Sequence, residues 1–184
     1  MKKGIRSIAI ASGPIDGRRR ALIVGVVGRF GVIEGVVSSS VAVDGDDATA
    51  AILKMIRRSR FCEQIRIIAL NGIAIAGLNV IDAQLLEKGL GVKIVVLTRS
   101  MPRPRLLVRA LKELSKTSKE NVEKRIALVE AQAKIKRVRC AGIYLQGAIN
   151  FGEMKKLAGS IYDLLRIAHL VARGVETGES KGRI

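Results

Sequence analysis

Three consecutive apolar segments, separated by glycine-containing turns, constrain this chain more than any other feature of its sequence. They run from Ile5 to Ala11, from Arg20 to Phe30 and from Val32 to Val43. Their high content of valine and isoleucine favours strands, and Gly13–Pro14 and Gly31 lie where turns are expected. The sequence therefore predicts an antiparallel meander of three strands at the start of the fold.

After the meander, helices and strands alternate. Apolar residues recur at helical spacing from Ala48 to Ile56, a buried strand is expected from Ile65 to Leu70, a capped helix start lies at Asn79 to Asp82, and a further strand runs from Val92 to Leu97. Such alternation gives parallel strands joined by right-handed crossovers. We expect an α/β fold with a ribonuclease-H-like mixed sheet, in which three antiparallel strands precede parallel strands and helices flank the sheet.

Helical periodicity returns after Pro104. Apolar spacing predicts helices from Leu106 to Leu114 and from Val122 to Ala133, then a last strand from Cys140 to Leu145, then further helices. A chain of 184 residues can bury a full core without disulfides or a structural metal. We expect residues 1–184 to form a single domain.

The chain carries a large excess of positive charge. Lysine and arginine number 33 against 16 acidic residues, which gives a formal net charge of +17. This excess indicates a polyanionic partner, with nucleic acid as the first candidate and an anionic membrane surface as the second. No apolar stretch is long enough to cross a bilayer and no secretion signal precedes Arg18, so we expect a cytoplasmic protein.

Several enzyme classes find no support in the sequence. The glycines form neither the GxGxxG nor the GxxxxGK[ST] pattern that binds nucleotide phosphates. The single histidine has no evident nucleophile partner, and Cys62 and Cys140 belong to no CxxC pair. No cofactor is firmly predicted.

Five short motifs spread along the whole chain carry a resemblance to a known family. With these motifs the chain resembles the archaeal endonuclease-V-like family, also called endonuclease dU. The motifs are Gly13–Pro14, Val43 to Thr49, Leu70 to Ile73, Leu165 to Leu170, and Gly178 to Arg183.

The resemblance implies a ribonuclease-H-like fold in which carboxylates at the ends of the first and fourth strands hold Mg²⁺ for phosphodiester hydrolysis. Members of the family usually have two aspartates before the Gly-Pro pair and one before the glycine after the fourth strand. This chain has Ala11, Ser12 and Asn71 at those positions. A hard divalent cation is held chiefly by carboxylates, so we expect weak or absent catalysis, and Mg²⁺ or Mn²⁺ only if the chain is active.

Four acidic residues near the matched motifs have two interpretations. Asp44, Asp46 and Asp47 lie where a helix begins, and aspartate there stabilises the free N–H groups of the first turn. In an active enzyme, Asp46 and Glu179 would be the remaining candidate metal ligands.

Two basic clusters are candidate phosphate contacts. Arg166, His169 and Arg173 share one stripe of a predicted helix, and Arg18, Arg19 and Arg20 follow the first strand. The alternative interpretation is a solvated helix surface. The segment from Arg99 to Arg139 adds 13 basic against 4 acidic residues, a balance of +9 that can either contact phosphates or remain solvated.

These observations leave three hypotheses. The first is a divergent, weakly active or inactive nuclease-like protein that binds DNA or structured RNA. The second is a metal-dependent endonuclease acting on deaminated or damaged bases. The third is an assembly subunit whose apolar helices between Leu106 and Val129 pair with another chain, with a homo-oligomer as one form of this.

Overall fold

The computed structural model describes residues 5–115, 121–147 and 149–181, so the last two residues of the motif from Gly178 to Arg183 lie outside the described part. No helix in these ranges is both long enough and apolar enough to span a bilayer. The strands are β1 (Arg6–Ser12), β2 (Arg20–Arg29), β3 (Val32–Ala42), β4 (Ile65–Asn71), β5 (Ala74–Ile75), β6 (Asn79–Val80), β7 (Lys93–Thr98), β8 (Arg137–Cys140) and β9 (Ile143–Gly147). The helices are α1 (Ala48–Arg57), α2 (Ala83–Leu90), α3 (Pro104–Leu114), α4 (Val122–Ala133) and α5 (Phe151–Thr177).

Seven strands form one mixed sheet in the order β3-β2-β1-β4-β7-β9-β8. β2 pairs antiparallel with both β1 and β3, whereas β4 runs parallel to both β1 and β7. The predicted meander and the predicted parallel strands are therefore confirmed. Helices lie on both faces of the sheet, as the α/β prediction requires.

The strand predicted from Cys140 to Leu145 is instead parts of two antiparallel strands. β8 ends at Cys140 and β9 begins at Ile143, and the turn between them has φ angles of 48° at Ala141 and 81° at Gly142. Glycine tolerates left-handed backbone, so a tight reversal fits inside a segment of continuous apolar character. β9 then pairs antiparallel with β7. The helices predicted after the last strand form one continuous helix, α5.

Side-chain alternation along β1 determines which helices cover each face of the sheet. Ile10 belongs to the core cluster beneath α1 and α2, whereas its neighbour Ala11 belongs to the cluster beneath α5. Small side chains such as that of Ala11 let α5 approach the sheet closely. Gly13 continues this approach, because an added Cβ there would lie 3.0 Å from the carbonyl oxygen of Ala172. The C-terminal half of α5 is therefore held against the end of β1.

The aspartates before α1 and α2 behave differently. The capped start predicted at Asn79 to Asp82 is present, and Asp82 is the capping residue, since its Oδ1 atom accepts a hydrogen bond of 2.9 Å from the N–H of Leu85. Asp47 holds the equivalent position before α1, but its side chain makes no capping bond. Its carboxylate accepts instead from the N–H of Ala42, at 3.0 and 3.2 Å. The capping role predicted at α1 is therefore wrong for Asp47, because its carboxylate bonds to the backbone at the end of β3 instead.

Helices α3 and α4 form a hairpin that packs beside the β5–β6 segment. A small apolar cluster that includes Leu111 and Val129 joins the two helices. Arg125 of α4 is only 3% exposed, and its Nη1 atom donates to the carbonyl oxygens of Asp44 at 2.6 Å and Leu78 at 3.3 Å. The buried guanidinium thus fixes the hairpin to the loops at one end of the sheet.

Candidate functional site

A cavity of about 360 Å³ opens at the carboxyl ends of β1 and β4, and we call it the strand-end cavity. In the sheet register Ile10 lies opposite Leu70, so the next residues on the two strands, Ala11 and Asn71, are neighbours. The cavity thus contains the three positions at which the family resemblance implies aspartates. Its lining residues are Ile10, Ala11, Ser12, Gly13, Pro14, Ile15, Asp16, Leu70, Asn71, Gly72, Ala74, Ile75, Ala76, Gly77, Ile81, His169 and Arg173.

Two loops form walls of the strand-end cavity. In the first, the N–H of Gly13 donates to the carbonyl oxygen of Leu22 at 2.8 Å, which ties the loop after β1 to β2. In the second loop, the N–H of Ala76 donates to Ser12 Oγ at 3.4 Å. The carbonyl oxygen of Ala76 accepts a hydrogen bond from the N–H of Asp44 at 3.0 Å. Backbone bonds therefore position both walls.

Helix α5 supplies the remaining polar side chains through His169 and Arg173, one turn apart. Burial lowers the pKa of His169 below its usual value of 6.5, and the positive charge of Arg173 lowers it further. The imidazole is therefore neutral at pH 7, able to donate one hydrogen bond and accept another. Arg173 is the positively charged group of the cavity.

The other predicted basic residues lie outside this cavity. Arg166 is exposed on the preceding turn of α5. Arg18 is exposed and forms an ion pair with Glu176 on α5, and its Nη2 atom also donates to the Glu176 carbonyl oxygen at 3.1 Å. Arg19 is exposed. Arg20 bonds to Ser40 on β3, through its Nε atom at 3.1 Å and its Nη2 atom at 2.8 Å.

The two predicted residual acids also lie elsewhere. Asp46 accepts a hydrogen bond from Asn121 Nδ2 at 2.6 Å, beside the start of α4. Glu179 is exposed beyond the end of α5, where its backbone carbonyl accepts from Thr177 Oγ1 at 2.6 Å. The acidic residue of the cavity is Asp16, which is not among the site residues predicted from the sequence. Its position two residues after the Gly-Pro pair is the signal that could have identified it.

The residues present fit a divalent cation poorly. In the described ranges no cluster of three or more His, Cys, Asp or Glu side chains could hold a metal ion. Asp16 and His169 are the ionisable groups of those types in the lining, and Ser12 and Asn71 add only neutral oxygens. Mg²⁺ and Mn²⁺ depend on carboxylates for charge compensation. The cavity is therefore suited to hydrogen bonding of a polar ligand more than to holding a catalytic metal.

Comparisons with known proteins agree along nearly the whole chain. The family model described as endonuclease dU matches residues 3–176. A UPF0215 protein of Methanothermobacter thermautotrophicus is 35% identical over 190 aligned residues, which cover 99% of this chain and 93% of the relative.

Solved structures give the same picture of the fold. A crystal structure of a protein of unknown function from Archaeoglobus fulgidus superposes with a TM-score of 0.82 at 31% identity, covering 93% of this chain and 98% of the other. Endonuclease V of Ciona intestinalis, crystallised with a DNA containing an inosine, gives a TM-score of 0.53 at 10% identity, covering 91% and 83%. At 10% identity, the similarity to endonuclease V of Ciona intestinalis is evidence for a shared fold alone. Together with the strand order, it confirms the ribonuclease-H-like prediction.

Proposed function

Because the chain belongs to the endonuclease dU family, we propose that it binds nucleic acid at the strand-end cavity without hydrolysing it through a carboxylate-held metal. The description of the family as an endonuclease favours nucleic acid as the partner, and the net charge of +17 favours a polyanion. A single domain over residues 1–184, a cytoplasmic location and any homo-oligomer stay predictions.

One observation carries this proposal. The cavity brings together Ala11, Ser12 and Asn71, none of which is charged, with His169 and Arg173. Replacing aspartate by alanine, serine or asparagine removes both the ligands of a divalent ion and the negative charge that would repel phosphate. Arg173 can then contact a phosphate oxygen and His169 can donate to a phosphate or a sugar hydroxyl.

The mode of binding follows from the scarcity of aromatic residues. The sequence has no tryptophan, two tyrosines and three phenylalanines, so it offers few surfaces on which bases could stack. Contacts to the phosphate backbone therefore dominate the proposed interaction. Such contacts give affinity that falls steeply with salt and depends weakly on sequence.

The test is a paired measurement of binding and cleavage. Labelled duplexes that contain uracil, inosine or neither are titrated with the protein at two salt concentrations, and the same duplexes are incubated with Mg²⁺ or Mn²⁺. We expect salt-dependent binding without nicking. Binding should weaken at least several-fold in His169→Ala and Arg173→Gln. Arg58→Gln, which removes an exposed charge at the end of α1, is the matched control.

The competing endonuclease hypothesis makes the opposite prediction for the same samples. Metal-dependent nicking that is lost in Asp16→Asn, Asp46→Asn or Glu179→Gln would overturn our proposal. Absence of binding to every duplex at low salt would overturn it as well and would favour an assembly subunit.

A further inference from the structure

A second surface of this chain has the charge that the strand-end cavity lacks. The side chains that line the cavity include one arginine, Arg173, and one aspartate, Asp16, so their formal charges cancel. The ion pair with Glu176 also neutralises Arg18 nearby. Strong binding to phosphates therefore needs cations from another part of the molecule.

Helices α3 and α4 supply such cations. Between them lies an open groove of about 1180 Å³, which we call the α3–α4 groove. Its lining contains six basic and two acidic side chains, a formal balance of +4. The basic residues are Arg103, Arg105, Arg109, Lys112, Lys134 and Arg137, and the acidic residues are Glu113 and Glu130.

The basic residues on α3 follow one stripe of the helix. Arg105, Arg109 and Lys112 are spaced four and three residues apart, and all three side chains are exposed. Four residues of helix span roughly 6 Å along the axis. That interval is comparable to the distance between neighbouring phosphates on one strand, so successive side chains can contact successive phosphates.

Between the groove and the strand-end cavity lies a smaller pocket of about 220 Å³, which we call the connecting passage. The passage shares Gly72 and Ala74 with the cavity, and it shares Arg103 and Arg137 with the groove. The three spaces therefore adjoin one another between the end of β4 and the outer side of α3.

The lining of the connecting passage includes Thr98 and Arg137, each of which has one buried polar atom without a partner among the described residues. The Oγ1 atom of Thr98 and the Nε atom of Arg137 are buried, and within the described ranges neither has a hydrogen-bond partner. Buried polar groups are rarely left without partners, because each costs about 1 to 3 kcal/mol.

We propose that the α3–α4 groove binds the backbone phosphates of the same polynucleotide strand that occupies the strand-end cavity. This inference rests on the proposed function and adds a subsite to it. The cavity contributes local recognition through His169 and Arg173, and the groove contributes most of the electrostatic affinity. Affinity therefore increases with strand length until both regions are occupied.

The test compares two triple variants on single-stranded oligonucleotides of 6 and 30 nucleotides. The groove variant carries Arg105→Gln, Arg109→Gln and Lys112→Gln. The control variant carries Lys54→Gln, Arg58→Gln and Lys88→Gln, which remove three exposed charges from α1, the residue after it, and α2. All six side chains are exposed, so both variants keep the fold, and circular dichroism and thermal melting check this.

We expect the groove variant to lose at least tenfold in affinity for the 30-mer and to keep its affinity for the 6-mer. The slope of log K against log salt for the 30-mer should fall by about 2, since each lost phosphate contact contributes about 0.7 for a single strand. The control variant should change the affinity for the 30-mer and the salt slope much less.

Failure of this inference is distinguishable from failure of the proposed function. If the groove variant binds the 30-mer like the control variant, while His169→Ala and Arg173→Gln still weaken binding, the groove proposal alone is wrong. If the unmodified protein binds neither oligonucleotide, the groove proposal is wrong, and the duplex measurement decides the proposed function separately. Binding to vesicles of anionic phospholipid without binding to the 30-mer would also overturn the groove proposal in favour of a membrane surface.

Discussion

Asn79 caps helix α1 from a position 31 residues along the chain, because its Oδ1 atom accepts a hydrogen bond of 3.0 Å from the N–H of Ala48. The Nδ2 atom of the same side chain donates to Asp47 Oδ1 at 2.8 Å and to the carbonyl oxygen of Ala42 at 2.9 Å. Asn79 is completely buried. One amide therefore joins the end of β3, the start of α1 and strand β6.

Replacing Asn79 by alanine should lower the free energy of unfolding by about 2 to 4 kcal/mol, because buried partners lose their hydrogen bonds. Urea denaturation followed by circular dichroism measures the change. Asn71→Ala is the matched control, since Asn71 is an exposed asparagine at a strand end, and its effect should be within about 0.5 kcal/mol. Equal stabilities of the two variants would contradict this role for Asn79.

The spacing of apolar residues along the sequence predicts most of the helices and strands. It does not predict the cap of α1. The apolar spacing from Ala48 to Ile56 identifies α1, because helical periodicity is a property of neighbouring residues. Asp47 looks like the cap for the same local reason. The actual cap comes from Asn79, and no local pattern relates two residues so far apart in the chain. The tight reversal at Ala141 and Gly142 was missed because apolar residues continue through it.

Arg125→Met should loosen the α3–α4 hairpin and lower the free energy of unfolding by about 2 to 4 kcal/mol. The carbonyl oxygens of Asp44 and Leu78 lose a charged donor, while the methionine side chain keeps much of the buried volume. Hydrogen exchange should show faster exchange of amides in α3 and α4 than in β1. Lys124→Met, at an exposed neighbouring position, is the control and should leave exchange in both helices unchanged.

The pKa of His169 should lie below 6.5 in the free protein, because the side chain is partly buried and Arg173 is close. His169 is the only histidine in the sequence, so its ring signals in an NMR titration need no further assignment. Arg173→Gln should raise the pKa toward 6.5 by removing the second cause. Lys54→Gln, which removes a distant exposed charge, should leave it unchanged.

The lowered pKa of His169 also fixes the direction of two pH effects. Below about pH 6.5 the unfolded chain binds more protons at this residue than the folded protein, so the folded state loses stability as the pH falls. A bound phosphate favours the protonated imidazole and raises its pKa. Oligonucleotide affinity should therefore rise between pH 7.5 and pH 5.5, and His169→Gln should flatten that profile. A profile unchanged by His169→Gln would exclude contact between this residue and the ligand.

The strand-end cavity could be located from the sequence only in part. Ala11, Ser12 and Asn71 follow buried strands, and parallel neighbours end at the same edge of a sheet, so their proximity follows from topology. His169 and Arg173 reach the cavity because α5 continues as one helix of 27 residues across the sheet. Asp16 was missed because a loop residue has no periodicity to mark it.

Placing aspartate at Ala11 and Asn71 tests directly what carboxylates at these two positions would do. The two side chains follow a paired position on β1 and β4, and Asp16 and His169 line the same cavity, so the double variant assembles three carboxylates and an imidazole. Ala11 is only 4% exposed, so a carboxylate in its place is largely removed from water. Without metal, this burial and the repulsion between the carboxylates should lower the melting temperature of the double variant.

Addition of Mn²⁺ should reverse that loss in the double variant Ala11→Asp, Asn71→Asp. Binding to the folded state alone stabilises it by about 2.7 kcal/mol at a metal concentration 100 times the dissociation constant. Ala11→Asn is the control for side-chain size, since it adds no charge, and neither it nor the unmodified protein should respond to Mn²⁺. Thermal denaturation with and without the metal measures all three. If the unmodified protein were stabilised as much as the double variant, the native residues would already hold a divalent ion, and the proposal of nucleic-acid binding without metal-dependent hydrolysis would lose its basis.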